Sequence, residues 1–174
     1  MRWSRTSLKS AAMLAIGALA AAACAGPVSE KELRQAIDER PPLPAYPRFD
    51  DLLPVDLGGN FNYFIDPASI TVAARAVVRY TLVARSPGGA TNVSFEGLRC
   101  ASRERRFYAF GHEDGSWSPA RNSGWDSFRN GSASYYSTLA DYYFCPDRRP
   151  VVDAAEAVQA LKLGQHPATL PRPW

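Results

Sequence analysis

Residues Ala76 to Cys100 read AVVRYTLVARSPGGATNVSFEGLRC, and this stretch decides the fold class. Two apolar-rich runs flank Ser86-Pro87-Gly88-Gly89, whose residue types are those that tight turns select, so the segment predicts one β-hairpin. Counting those four residues as the loop pairs Arg85 with Ala90. Leu82 then falls opposite Val93, Tyr80 opposite Phe95 and Val78 opposite Gly97. Strand side chains alternate with period two, so these pairs share one apolar face. Thr81 with Ser94 and Arg79 with Glu96 occupy the other, polar face. In this register Leu98 and Cys100 rejoin the apolar side only through a bulge at Gly97, a common use of a strand glycine.

The flanking sequence extends the pattern. Behind Gly58-Gly59, Phe61, Tyr63 and Ile65 alternate with Asn62 and Phe64, which predicts a strand over Asn60–Ile65. Asp66-Pro67 reads as a turn and Ser69–Val72 as a second short strand. Beyond the hairpin, Arg105–Gly111 is expected to place Phe107 and Ala109 on one face and Tyr108 and Phe110 on the other. Glu113-Asp114-Gly115-Ser116 turns the chain into a short strand at Trp117, and residues from Pro119 to Gly131 read as a loop. A helix capped by Ser134 runs to Tyr143, and Pro146 ends it. Val151–Leu163 has the clearest helical signature: Pro150 before it, Asp153 and Glu156 early, Lys162 late and Gly164 after. Its stripe of Val151, Ala154, Ala155, Val158 and Leu161 suits a sheet surface, with the apolar face of the hairpin as the expected seat. The fold class expected is α+β: an antiparallel sheet of about five or six strands with helices packed on one face.

The chain ahead of this domain has its own grammar. Arg2, Arg5 and Lys9 precede an apolar run of 12 residues, Ala11 to Ala22, and small residues follow. That is the pattern of a secretory signal peptide, and the run is shorter than the roughly 20 residues a membrane-spanning helix needs. Ala21-x-Ala23 fits cleavage by ordinary signal peptidase. Ala21-Ala22-Ala23-Cys24 also resembles a bacterial lipobox, with Ala21 where leucine is usual, and makes Cys24 the expected lipidation site. Ser29 to Arg40 follows as a short helix with a Ser29/Glu32 capping box, and Pro41 to Pro47 as an extended strap. The expected division is a signal peptide over 1–23, a tether helix and proline-rich strap over 24–50, one domain over 51–165 and a loosely ordered tail over 166–174.

Charge narrows the partners. Of the 20 basic residues, three lie in the leader, leaving 17 against 17 acidic ones, so a nucleic-acid partner is not expected. Cysteine usage points the same way as the leader. If Cys24 carries the lipid, Cys100 and Cys145 remain as one pair in an oxidising compartment, closing a loop worth about 4 kcal/mol in the chain-entropy picture. Two buried free thiols are the plainer alternative. Metal spacing is missing, because neither cysteine has a neighbouring histidine.

Signatures of catalysis are absent: no G-x-S-x-G, P-loop, G-x-G-x-x-G or H-E-x-x-H occurs, and no cofactor is implied. His112 lies in a turn with Asp114 and Ser116, too local for triad geometry. The possible ligand face is the polar side of the hairpin, comprising Arg75, Arg79, Thr81 and Arg85, with Asn92, Ser94 and Glu96 opposite. An arginine fork beside hydroxyls suits a carboxylate or phosphate. A solvated face with an ordinary surface ion pair, worth about 0–1 kcal/mol, is the preferred reading of the same residues. Tyr135, Tyr136, Tyr142, Tyr143 and Phe144 form either a stacking platform or, more often for such residues, core.

VVRYTLVARSPGGATNVSFEGLRC, the preceding FIDPASITV, the upstream LPAYP and the later YYFCP together resemble the cryptic-neisserial-protein-like family, over about Leu43 to Leu163. The resemblance implies an exported or lipoprotein-like protein of a Gram-negative envelope, with Cys100 bonded to Cys145, and brings no catalytic residues with it. Two expectations follow. One is a non-catalytic periplasmic protein with a binding or purely structural role in the envelope, tethered to the outer membrane through Cys24 or otherwise soluble in the periplasm, whose partner would be another envelope protein or a cell-wall component. The other is a hydrolase of cell-wall or carbohydrate material using Asp or Glu, for which a paired-carboxylate cleft is the discriminating feature.

Overall fold

In a computed structural model, Ser29 and residues 41–73, 76–128 and 135–171 are described. Cys24, Arg75 and nearly all of the expected Ser29–Arg40 helix lie outside them. The hairpin forms, with β3 over Val77–Arg85 and β4 over Thr91–Arg99. Its register is one residue away from the expected one. Arg85 pairs with Thr91, Thr81 with Phe95, Tyr80 with Glu96 and Val78 with Leu98. The turn explains the slip. Ser86 N–H donates to Ala90 O at 2.9 Å and Gly89 N–H to Ser86 O at 3.0 Å, with Gly89 at φ 88°. Three residues, Pro87 to Gly89, therefore make the loop, and the left-handed glycine supplies the bulge typical of three-residue hairpins. Because side chains alternate, one residue of slip exchanges the two faces of β4 against β3. Leu98 and Cys100 reach the core without a bulge at Gly97, whereas Ser94 and Glu96 turn inward and Val93 and Phe95 turn to the opposite face.

Around the hairpin the strands form an antiparallel meander in the order β1 to β6, with β1 at Leu53–Val55, β2 at Asn62–Ala73, β5 at Glu104–Gly111 and β6 at Trp117–Pro119. A two-residue β7, Asp126–Ser127, pairs with the start of β5 on the same edge as β6. The short β1 and β7 carry too few residues to show alternation, and the sequence reading misses both. β2 is one strand where two were expected. Asp66-Pro67 does not reverse the chain; the register shifts between Asp66 and Thr71, making a bulge. Ser69 stitches that bulge: its hydroxyl donates to Asp66 O at 2.7 Å and accepts from Thr81 N–H at 2.7 Å. A second bulge, where Phe95 pairs with Ala109 but Glu96 with Phe107, brings Phe107 and Phe110 to one face, their ring centroids 5.1 Å apart. Tyr108 and Ala109 go to the other.

Among the described residues, the helices cover one face. Tyr135–Leu139 (α1) runs into a π-helical turn at Ala140–Phe144, and Ala154–Leu163 forms α2. Helix α2 starts three residues later than Val151 because Asp153 is its cap, accepting from Glu156 N–H at 2.9 Å. Gly164 at φ 79° ends it. Val78, Tyr80, Leu82 and Leu98 meet Leu139, Phe144 and Leu161 in the main core. The α1 segment takes the seat over the hairpin that was expected for α2: Tyr80 packs on Phe144 at 5.2 Å, while α2 lies toward β1 and β2. Cys100, at the end of β4, is disulfide-bonded to Cys145, just past that segment, with Cα atoms 5.2 Å apart. His166, placed by sequence in a loose tail, is buried; its N–H donates to Tyr142 O, and Nε2 lies 3.1 Å from Glu156 Oε1.

The opposite face has a small core of Phe95, Tyr108 and Ala109 with Trp117 against it. Residues 41–47 cross it. Trp117 Nε1–H donates to Pro44 O at 3.1 Å, and the Tyr46 ring lies 5.6 Å from the Trp117 ring. An extended proline-rich segment suits this position, since its carbonyls accept hydrogen bonds while its prolines have none to donate.

Candidate functional site

The register separates the residues of the expected ligand face. Arg79, Thr81 and Arg85 point to the side crossed by the strap, while Asn92, Ser94 and Glu96 point to the helical side. Arg79 stands opposite Gly97 rather than Glu96, and its guanidinium lies 5.7 Å from the centre of the Tyr108 ring. Arg85 lies over the rings of Phe64 and Phe49, at 4.9 and 5.4 Å. The exchanged strand face carries Ser94 and Glu96 away from the described arginines of the expected face, Arg79 and Arg85.

What the slip creates instead is a cleft on the helical side. Leu82, Ala84, Asn92, Ser94 and Glu96 form its floor. Phe61, Tyr63 and Tyr135 make one bank, with Tyr63 and Tyr135 ring centroids 5.2 Å apart. Phe107 and Phe110 make the other. Strands β2 and β5 flank the hairpin, so the strand order sets the two banks, and α1 adds Tyr135 to the first. The volume is about 390 Å³, within the range of small-molecule sites. Phe61 and Phe110 are each 41% exposed at its rim.

Glu96 sits at the inner end and is 1% exposed. Ser94 Oγ donates to Oε1 at 2.5 Å and Tyr80 Oη to Oε2 at 3.0 Å. Tyr135 Oη stands 3.5 Å from Oε1 and bonds the Tyr136 hydroxyl, which accepts from Arg105 Nη1 at 3.4 Å. Burial pushes the Glu96 carboxyl up to about 7, against the opposing pull of the Ser94 and Tyr80 hydroxyls and of the Arg105 charge. Burial and the carboxylate in turn raise the phenols of Tyr80, Tyr135 and Tyr136, keeping them protonated donors at neutral pH.

Of the aromatic run singled out by sequence, Tyr136, Tyr143 and Phe144 are core, Tyr142 is half exposed and Tyr135 alone lines the cleft. Phe61, Tyr63, Phe107 and Phe110 were legible as strand aromatics but not as a site, since their convergence depends on strand order and the β5 bulge. Glu96 is the one carboxylate among the described lining residues, so the pair that hydrolysis of a glycoside requires is not assembled there.

A family model described as the CNP1-like family matches residues 31–162. No curated protein matches the chain, and no solved structure does.

Proposed function

We propose, from the premise that this chain belongs to the CNP1-like family, that it is an exported, lipid-anchored envelope protein whose aromatic cleft binds a ligand without transforming it. One observation carries the binding reading: a concave, aromatic-walled cleft closes on a single buried carboxyl whose oxygens are already held by hydroxyl donors. Such an acceptor is fixed in place and suits recognition. A general acid near neutrality would also need a water-activating partner, and no second lining carboxylate is described.

Export and anchoring rest on the leader and on cysteine pairing. The Cys100–Cys145 disulfide accords with an oxidising compartment and leaves Cys24 as the remaining cysteine of the three. A lipid there would tether the domain in the periplasm, on the outer membrane, through residues 25–40. The test is palmitate labelling of wild type and Cys24→Ala in the native host, with cell fractionation. Label lost in the variant and retained in wild type supports the anchor. Equal labelling removes it.

A further inference from the structure

The lining of the cleft is one-sided in charge. Five rings and one carboxyl face it, joined by Thr91, Asn92 and Ser94, and no lysine or arginine occurs among its described lining residues. Resting on the reading of this cleft as a binding site, we infer that its ligand is an organic cation, a compact alkylated ammonium group seated between the two aromatic banks above Glu96. Ring faces carry the negative part of the aromatic quadrupole, and walls of this kind attract cations whose hydration is weak. A primary ammonium loses more on leaving water than an alkylated one does, so the apolar walls favour the alkylated head. Asn92 and Thr91 supply polar groups for a neutral tail.

Other ligand classes fit less well. An anion would meet ring faces and a buried carboxyl, with no cation among the described lining residues to receive it. A sugar needs several planar polar groups to engage its hydroxyls, and among the described lining residues Asn92 is the lone side-chain amide. Arg105, whose charge acts on the carboxyl, lies outside the lining: its guanidinium stands over the rings of Phe107 and Tyr136, at 4.9 and 4.7 Å, and 3.7 Å from Asp126. Among the described residues, the groups facing Glu96 from the packed elements are Tyr63 from β2, Tyr80 from β3, Ser94 from its own strand, Arg105 from β5, and Tyr135 and Tyr136 from α1. None of the tyrosines carries charge at neutral pH. A bound cation therefore strengthens the anionic form of Glu96 and expels its proton, so affinity rises with pH through about 7.

The test is calorimetric titration of the purified full-length protein with choline and with its neutral carbon isostere, 3,3-dimethylbutan-1-ol, at pH 6 and pH 8. N-acetylglucosamine is a third ligand. Choline is expected to bind about tenfold more tightly than the isostere, and more tightly at pH 8 than at pH 6. Glu96→Gln should flatten the pH dependence, and Phe110→Leu, at the exposed rim, should erase the preference for choline while circular dichroism stays unchanged. Equal binding of choline and isostere overturns the cation inference and leaves a ligand cleft. So does binding of N-acetylglucosamine alone that Phe110→Leu abolishes. Binding of none of the three at millimolar concentration overturns the inference and the binding reading together.

Discussion

Tyr80 and Glu96 face each other across β3 and β4, and the Tyr80 hydroxyl donates to Glu96 Oε2 at 3.0 Å inside the main core. A carboxyl is costly to ionise in such surroundings. It is kept there by hydroxyl donors from three different elements, and the cost gives the fold a pH dependence that can be measured.

The sign of that dependence is fixed. Glu96 has its ordinary value of 4.5 in the unfolded chain and about 7 in the folded one, so between them the folded state binds more protons. Its contribution to stability is therefore greatest below 4.5 and declines as pH rises to about 7, by roughly 3 kcal/mol at 1.36 kcal/mol per unit. Glu96→Gln removes the titration. Urea unfolding at pH 5, 6, 7 and 8 should show the variant gaining on wild type as pH rises. A difference constant with pH would mean the carboxyl is not perturbed.

Gly97 is expected to resist substitution for a reason other than the bulge read from sequence. A Cβ there would lie 2.9 Å from Cε2 and 3.0 Å from the hydroxyl of Tyr108, whose ring covers the glycine from β5. That ring also receives the Arg79 and Arg106 guanidinium groups, at 5.7 and 5.2 Å, so it cannot swing aside freely. Gly97→Ala should cost about 1–3 kcal/mol, the usual range for overpacking. The double variant with Tyr108→Ala tests the cause. Once the ring is gone, adding the methyl should cost little; if it costs as much as before, the strain lies in the strand and not in the ring.

How much of this was legible depends on which physical signal carried it. Strand and helix types follow from periodicity, and the antiparallel sheet with helices on one face follows from them. The face on which Glu96 lies does not. It hangs on whether Ser86 belongs to the loop or closes it, and residue types alone do not separate a four-residue loop from three residues ending on a left-handed glycine. That single residue decides whether Glu96 meets Arg79 at a polar surface or Tyr80 in the core. Likewise Phe107 and Phe110 share a face only because a bulge inserts a residue between them. The cleft is thus built from two irregularities that alternation cannot reveal.

The disulfide joins the end of β4 to the segment that covers it. Cys100 and Cys145 are separated by 45 residues, and closing a loop of that length stabilises the fold by about 4 kcal/mol in the chain-entropy picture. The double variant Cys100→Ser, Cys145→Ser should lose about that much in denaturant unfolding. Reduction of wild type should give a loss of the same order. If reduction leaves the midpoint in place, the packing of Tyr80 against Phe144 holds that layer unaided.

The strap supplies the last test. Trp117 holds it in two ways: the indole N–H bonds Pro44 O at 3.1 Å, and the indole ring packs on Tyr46 at 5.6 Å. Trp117→Phe removes the hydrogen bond and keeps an aromatic ring, and should cost about 1 kcal/mol. Tyr46→Leu removes the ring pairing. Aromatic pairs contribute about 0.5–1.5 kcal/mol beyond their buried area, so Tyr46→Leu and Trp117→Leu, each of which removes the ring pair, should be coupled by an energy of that order in a double-mutant cycle. Thermal unfolding of the four proteins measures it. Strict additivity would mean that the strap does not rest on Trp117 in solution, and the small core of Phe95 and Tyr108 would then need another cover.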